Sequence, residues 1–202
     1  MRETDKFWSG SFGDAYNRRN SGPGQQPARI AMFSKIIAKT HGVRSILEIG
    51  CNTGENLKAL QTLGYTDLGG VEINATAAAE AACVSGDVVC GSFLDTDLWW
   101  ADLVLSAGVL IHIDPADLEL AYQQIYEAAT RYVLFIEYYS PEPADILYRG
   151  HEGRLWKRDF AGEFIDYVDS IDARPRVVDY GFIWHRDEFP QDDVTWFLME
   201  VI

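Results

Sequence analysis

Between residues 44 and 139, short apolar runs alternate with stretches of helical periodicity, and that rhythm admits few folds. Residues 44–50, 67–73, 88–90, 102–107 and 132–138 read as short buried strands. Among them, Gly54 opens a helix that carries Leu57 and Leu60 inward until Gly64 ends it, and residues 75–83 form an alanine-rich helix. Pro115 opens another, with Leu118, Tyr122, Ile125 and Ala129 on one face. A helix over residues 28–39, with Ile30, Phe33 and Ile37 at helical spacing, precedes the first strand and follows a loop broken by Gly22, Pro23, Gly24 and Pro27. Such alternation implies a parallel sheet flanked by helices. After Pro141 the rhythm changes. A long polar and aromatic stretch runs to Phe164, and two extended segments, 176–184 and 194–202, are expected to pair antiparallel.

In an open parallel sheet, ligands bind beyond the carboxyl ends of the strands. The segment Glu48-Ile49-Gly50-Cys51-Asn52-Thr53-Gly54 occupies that place after the first strand, and Gly50 and Gly54 let the backbone come close to a nucleoside. Asn52 is expected to cap the following helix, with Glu55 as the reciprocal partner of a capping box. A dinucleotide-binding loop would carry glycine where Glu48 stands and a shorter spacing than that from Gly50 to Gly54. A pyrophosphate disfavours a neighbouring carboxylate, whereas a phosphate-free cofactor bearing an ammonium and a sulfonium tolerates one. Glu55 and Asn56 stand where a P-loop would place Lys and Ser or Thr, which argues against ATP. Glu72 ends the second strand, where a carboxylate can accept hydrogen bonds from both ribose hydroxyls. The plainer alternative is a tight turn at Gly50 and Gly54 with a solvated Glu72.

Composition narrows the partners. The chain has 202 residues and a formal net charge of -14, so its field repels phosphate backbones and disfavours nucleic acid. With 48% apolar residues it can bury a core as one domain over 1–202. Cys51, Cys83 and Cys90 lack C-x-x-C spacing, which predicts neither a zinc site nor a disulfide framework and fits a cytoplasmic location. The opening residues are polar and no apolar run reaches bilayer length, so neither secretion nor membrane spanning is expected.

Over residues 28–139 the chain resembles the class I S-adenosylmethionine (SAM)-dependent methyltransferases. Residues Leu47 to Gly54 look like their first motif, Glu72 matches their second-strand acidic residue, and residues 102–113 resemble the fourth-strand segment that lines the cofactor. The resemblance implies an α/β, Rossmann-like three-layer sandwich with a mostly parallel seven-stranded sheet and an antiparallel C-terminal hairpin. It also implies that Gly50, Cys51 and Gly54 pass under the methionine moiety and that Glu72 holds the ribose, with Glu48 and Ile73 among the other cofactor-binding residues. Ser92 and Phe93 bracket adenine in this reading, and Ala107 and Gly108 line the cofactor. Many members carry aspartate where Ser92 stands, so the adenine contact departs from the family pattern.

The head segment, with Phe7, Trp8, Phe12, Tyr16, Arg18, Arg19 and Asn20, is expected to form a lid over residues 1–27. Tyr16 and Arg19 would close over the cofactor, the guanidinium pairing with the methionine carboxylate. The alternative is a helix that packs its aromatics on the domain. Together with Tyr180-Gly181-Phe182 and residues 192–197, this head resembles the pseudaminic-acid-biosynthesis-associated methylases. Residues 141–170 are read as an acceptor-side insertion. Within and beside it, Tyr139, Arg149, Arg154, Lys157 and Arg158 are candidates for binding an anionic small molecule, against the alternative of a solvated loop paired with Glu152, Asp159 and Glu163.

Methyl transfer from a sulfonium is an in-line displacement, so a protein chiefly aligns the acceptor and excludes water. His112, at the end of the fourth strand, is the candidate general base for an oxygen or nitrogen acceptor, and it can equally be a structural histidine. The resemblance thus implies methylation of a small metabolite, sugar-derived or a natural-product intermediate. Two rival readings are a noncatalytic SAM-binding scaffold and an NAD-dependent oxidoreductase.

Overall fold

The computed structural model describes residues 1–20 and 25–201; Gly22, Pro23 and Gly24 of the expected loop, and Ile202, lie outside them. Helices α1 (Glu3–Ser9), α2 (Ser11–Asn20) and α3 (Gln26–Ile37) lead into β1 (Ser45–Ile49), α4 (Glu55–Thr62), β2 (Asp67–Glu72), α5 (Ala75–Ala81), β3 (Asp87–Cys90) and β4 (Ala101–Ala107). Then come α6 (Leu118–Ala128), β5 (Ala129–Glu137), the two-residue strands β6 (Ala144–Asp145) and β7 (Trp156–Lys157), α7 (Phe160–Ser170), β8 (Arg176–Ile183) and β9 (Val194–Glu200). The seven-stranded sheet has the order β3-β2-β1-β4-β5-β9-β8. It is parallel from β3 to β5, and β9 runs antiparallel to both β5 and β8. This is the expected Rossmann-like three-layer sandwich with an antiparallel C-terminal hairpin.

Side-chain alternation along each strand builds the two outer layers. Ile46, Leu103, Leu105 and Leu134 pack against Phe33 and Ile36 of α3 and Leu57 and Leu60 of α4. Leu47, Ile49, Val104 and Phe135 point the other way, onto Tyr122 and Ile125 of α6 and Phe164 and Val168 of α7. The order in which successive strands are added reverses between the parallel β1 and β4, which opens a crevice at their carboxyl ends.

Three local expectations need correction. Helix α4 begins at Glu55 with Gly54 (φ 78°) as its cap, and no side chain caps it. Asn52 is itself left-handed (φ 47°) and its Oδ1 accepts the Thr53 N–H at 2.6 Å, so it does not reach the helix, while Glu55 accepts from Gln26 at 2.7 Å. Ala129 starts β5 rather than closing α6. Helix α7 arises at the end of the polar and aromatic stretch, where no helix was expected: Asp159 caps it by accepting the Gly162 N–H at 2.9 Å, and Phe160, Phe164 and Val168 recur at i, i+4, i+8 on its buried side. Among the described residues, no helix is long and apolar enough to cross a membrane.

Candidate functional site

The crevice is a cleft of about 1100 Å³, open mouth included, near the upper end of the sizes that small-molecule sites occupy. Its floor consists of the loops leaving β1, β2, β3 and β4, its roof of α1 and α2, and one wall is closed by Arg29 of α3. Sheet order lines up the floor groups: Ser92 and Phe93 after β3, Glu72 at the end of β2, Glu48 and Gly50 at β1, then Gly108 and His112 after β4. Neighbouring strands lie roughly 4.8 Å apart, so an elongated ligand crossing them meets these groups in turn.

At the β1 position Glu48 is fully buried. Its Oε1 accepts the Asn56 Nδ2–H at 2.6 Å, and burial pushes its carboxyl up to about 8 although Asn56 and the Arg29 charge pull it down. Its Oε2 has no partner. Among the described residues five buried side-chain N or O atoms are unpaired, and three of them, Glu48 Oε2, Arg29 Nε and Trp8 Nε1, belong to residues lining this one cleft. Buried polar atoms are ordinarily satisfied, so their concentration marks a place for a polar ligand. A carboxylate beside a guanidinium suits a zwitterionic amino-acid group, ammonium on Glu48 and carboxylate on Arg29. Gly50 (φ 62°) makes room: a Cβ there would meet Val109 Cγ2 at 2.5 Å.

At the β2 position Glu72 is buried and lines the cleft. Its Oε2 accepts the Asn52 N–H at 2.8 Å and its Oε1 the Asn74 N–H at 2.7 Å, so it ties two floor loops together and keeps one lone pair per oxygen for a ligand. Desolvation raises its pKa against the backbone hydrogen bonds from Asn74, Asn52 and Ile73. Asn74 then joins floor to roof. Its Oδ1 accepts from Asn17 Nδ2 (2.9 Å) and from the Ala77 N–H (3.0 Å), and its Nδ2 donates to Asp14 Oδ1 (2.9 Å).

At the β4 end Glu137, also buried, accepts from Ser106 Oγ at 2.7 Å and from the Val109 and Leu110 N–H groups at 3.1 Å. That fixes the turn carrying His112. His112 Nδ1 lies 2.6 Å from the Arg154 carbonyl oxygen, which can only accept, so Nδ1 carries the proton and Nε2 keeps a free lone pair. Burial pushes the imidazole down to about 4, so it is neutral at physiological pH. Trp8 (ring centroids 4.4 Å) and Tyr148 (5.1 Å) flank it.

Of the residues expected at the site, Tyr16, Glu48, Gly50, Cys51, Glu72, Ile73, Ser92, Phe93, Ala107, Gly108 and His112 line the cleft. Gly54 shapes the turn from behind, its N–H donating to the Cys51 carbonyl at 2.9 Å. Arg19 does not line the cleft. Gly13, Tyr16, Asn17 and Asn20 form the inward stripe of α2, and Arg19 falls off it, its guanidinium 5.6 Å from the Phe12 ring. Arg29 of α3 lines the cleft instead. The basic segment also stays outside. Arg158 donates to Glu163 at 2.7 Å, Lys157 sits over Tyr138 at 5.0 Å, and Arg154 covers Phe7 at 5.1 Å. Arg149 is an exposed turn residue (φ 50°), and Tyr139 borders only a small separate space together with Arg158. Glu163, Tyr138 and the lid residue Phe7 thus engage Arg158, Lys157 and Arg154, which matches the alternative of a paired loop rather than an anion pocket lining the cleft. Sequence reasoning missed Asp5, Arg29, Asn56 and Asn74; only Asn74, directly before an alanine-rich helix, carried a capping signal.

Residues 47–131 match the family model described as a methyltransferase domain. No curated protein matches the chain. Among solved structures, the chain is similar to magnesium protoporphyrin IX methyltransferase from Synechocystis PCC 6803 with bound SAM (TM-score 0.69, 12% identity, 99% of this chain and 98% of that one). It is also similar to a SAM-dependent methyltransferase from Leishmania major (TM-score 0.70, 19% identity, 100% and 87%). A third is a sugar N-methyltransferase from Streptoalloteichus sp. (TM-score 0.63, 15% identity, 94% and 92%).

Proposed function

We propose that the protein is a SAM-dependent methyltransferase that acts on a small molecule. The observation that carries this reading is the pair of unpaired buried groups, Glu48 Oε2 and Arg29 Nε, on two residues that line one cleft together with Glu72. SAM fits these residues: the ammonium meets Glu48, the carboxylate meets Arg29, the ribose hydroxyls meet Glu72, and Phe93 walls the base. When bound, SAM supplies a methyl group on a sulfonium, open to in-line displacement. The chain's own residues do the rest. Trp8 and Tyr16 of the roof exclude water, and His112 Nε2 orients an acceptor O–H or N–H and takes up its proton. A carboxylate acceptor would leave His112 without that task.

Sugar-derived metabolites and natural-product intermediates are the acceptors to assay first. The resemblance of both chain ends to pseudaminic-acid-biosynthesis-associated methylases supports that choice, as does the activity of the Streptoalloteichus neighbour. The strongly acidic chain and the absence of a basic segment in the cleft disfavour a nucleic-acid acceptor. Isothermal calorimetry tests the cofactor: binding of SAM and of its demethylated product S-adenosylhomocysteine is expected, and binding of NAD alone would overturn the reading. Incubation with SAM and extracted metabolites tests turnover by release of S-adenosylhomocysteine. Silence across all pools despite cofactor binding would favour a noncatalytic SAM-binding scaffold.

A further inference from the structure

We infer that Asp5, on the roof helix α1, selects the ligand's base by accepting a hydrogen bond from its exocyclic amino group. This inference rests on the SAM reading above and adds a specificity residue to it. Asp5 is only 6% exposed, yet it lines the cleft, which is unusual for a carboxylate on a seven-residue helix near a chain end. Its Oδ1 lies 3.3 Å from Ser92 Oγ, which donates to it, and its Oδ2 is 3.4 Å from the Arg2 N–H.

Position along the cleft identifies what Asp5 faces. Ser92 follows β3, Glu72 ends β2 and Glu48 lies on β1, so Asp5 and Ser92 stand two strands, roughly 10 Å, from the amino-acid end. With the sugar at Glu72, that far end receives the base, and Phe93 supplies its apolar wall. The Ser92 hydroxyl proton is already committed to Asp5. The pair therefore offers the base acceptor oxygens without a free donor, a set that favours a 6-amino purine over a 6-oxo purine.

The helix is also held to do this. The Arg2 guanidinium meets Asp95, just past Ser92, at 2.8 Å, Asp117, ahead of α6, at 3.3 Å, and Asp5 Oδ2 itself at 3.5 Å. The recognising carboxylate is thereby carried by the roof helix that covers the cleft.

Calorimetry of the full chain with S-adenosylhomocysteine and with its 6-oxo analogue S-inosylhomocysteine tests the inference. The unaltered protein should prefer the adenosyl ligand by tenfold or more. Asp5→Asn, which keeps shape and adds a donor, should cut that ratio at least about tenfold, weakening the adenosyl and strengthening the inosyl ligand. Arg2→Ala should weaken both alike and leave the ratio intact. If Asp5→Asn also weakens both alike, Asp5 merely props the helix and the inference is overturned. An unaltered protein that binds neither ligand removes the SAM reading and this inference with it, whereas one that binds both equally removes this inference alone.

Discussion

The floor and the roof of the cleft are built on different physics. Floor groups sit at strand ends inside a close-packed sheet, where Glu48, Glu72 and Glu137 are buried and held by backbone N–H groups or an asparagine amide. Roof groups sit on two short helices joined to the floor by aromatic packing, the Asn74 bonds and the bridges from Arg2. The floor is thus pre-organised at the cost of desolvated charge, and the roof is attached by contacts that can open. Under the proposed function the difference teaches a division of labour: the floor would define the cofactor's polar ends and the proton acceptor, while the roof would control access and base selection.

Replacing floor groups should accordingly cost more than replacing roof surface. The largest effect is expected for His112→Ala, with turnover lowered about 10²–10⁴-fold and S-adenosylhomocysteine affinity kept, measured by steady-state kinetics beside calorimetry. A lowered melting temperature with normal turnover would assign His112 to scaffolding instead. Next, Glu72→Ala should weaken SAM binding by about 1–3 kcal/mol and also lower the melting temperature, since it strands the Asn52 and Asn74 N–H groups. Unchanged affinity would detach Glu72 from the ligand.

Two arginines then sharpen the comparison. Arg29→Ala should cost about 1–2 kcal/mol of SAM binding, whereas Arg19→Ala, off the inward stripe, should change affinity less than about twofold. Equal effects would return Arg19 to the site. The smallest signal is in pH. Burial holds Glu48 up to about 8, and a bound ammonium favours its charged form. Ligand affinity should therefore rise with pH until about 8 and then level, with proton release detectable by calorimetry in buffers of different ionisation enthalpy. Glu48→Gln should flatten that rise; a steep rise surviving the substitution would place the titration elsewhere.

How much the sequence disclosed follows the same divide. Periodicity gave away β1, β2, β4 and β5 because both sides of each are largely buried, so their apolar runs are nearly continuous. The glycine turn and Glu72 were legible because their chemistry is local to one loop and one strand end. Helix α7 was obscured by the polar residues before it, although Asp159 with Phe160, Phe164 and Val168 spelled a cap and a stripe. Arg29 and Asp5 were not legible at all: each reaches the cleft only through the way α3 and α1 cross the sheet, which no local pattern encodes. Arg19 misled because an arginine among aromatics suits a lid, and only the phase of α2 turns it outward.

The most direct test of the account is a crystal structure of the protein with S-adenosylhomocysteine. It should place the ligand's ammonium on Glu48 Oε2, its carboxylate on Arg29 and its sugar hydroxyls on Glu72, across the carboxyl ends of β1 and β2. A ligand bound elsewhere, or one lying in the cleft with Glu48 Oε2 and Arg29 Nε still unpaired, would contradict it.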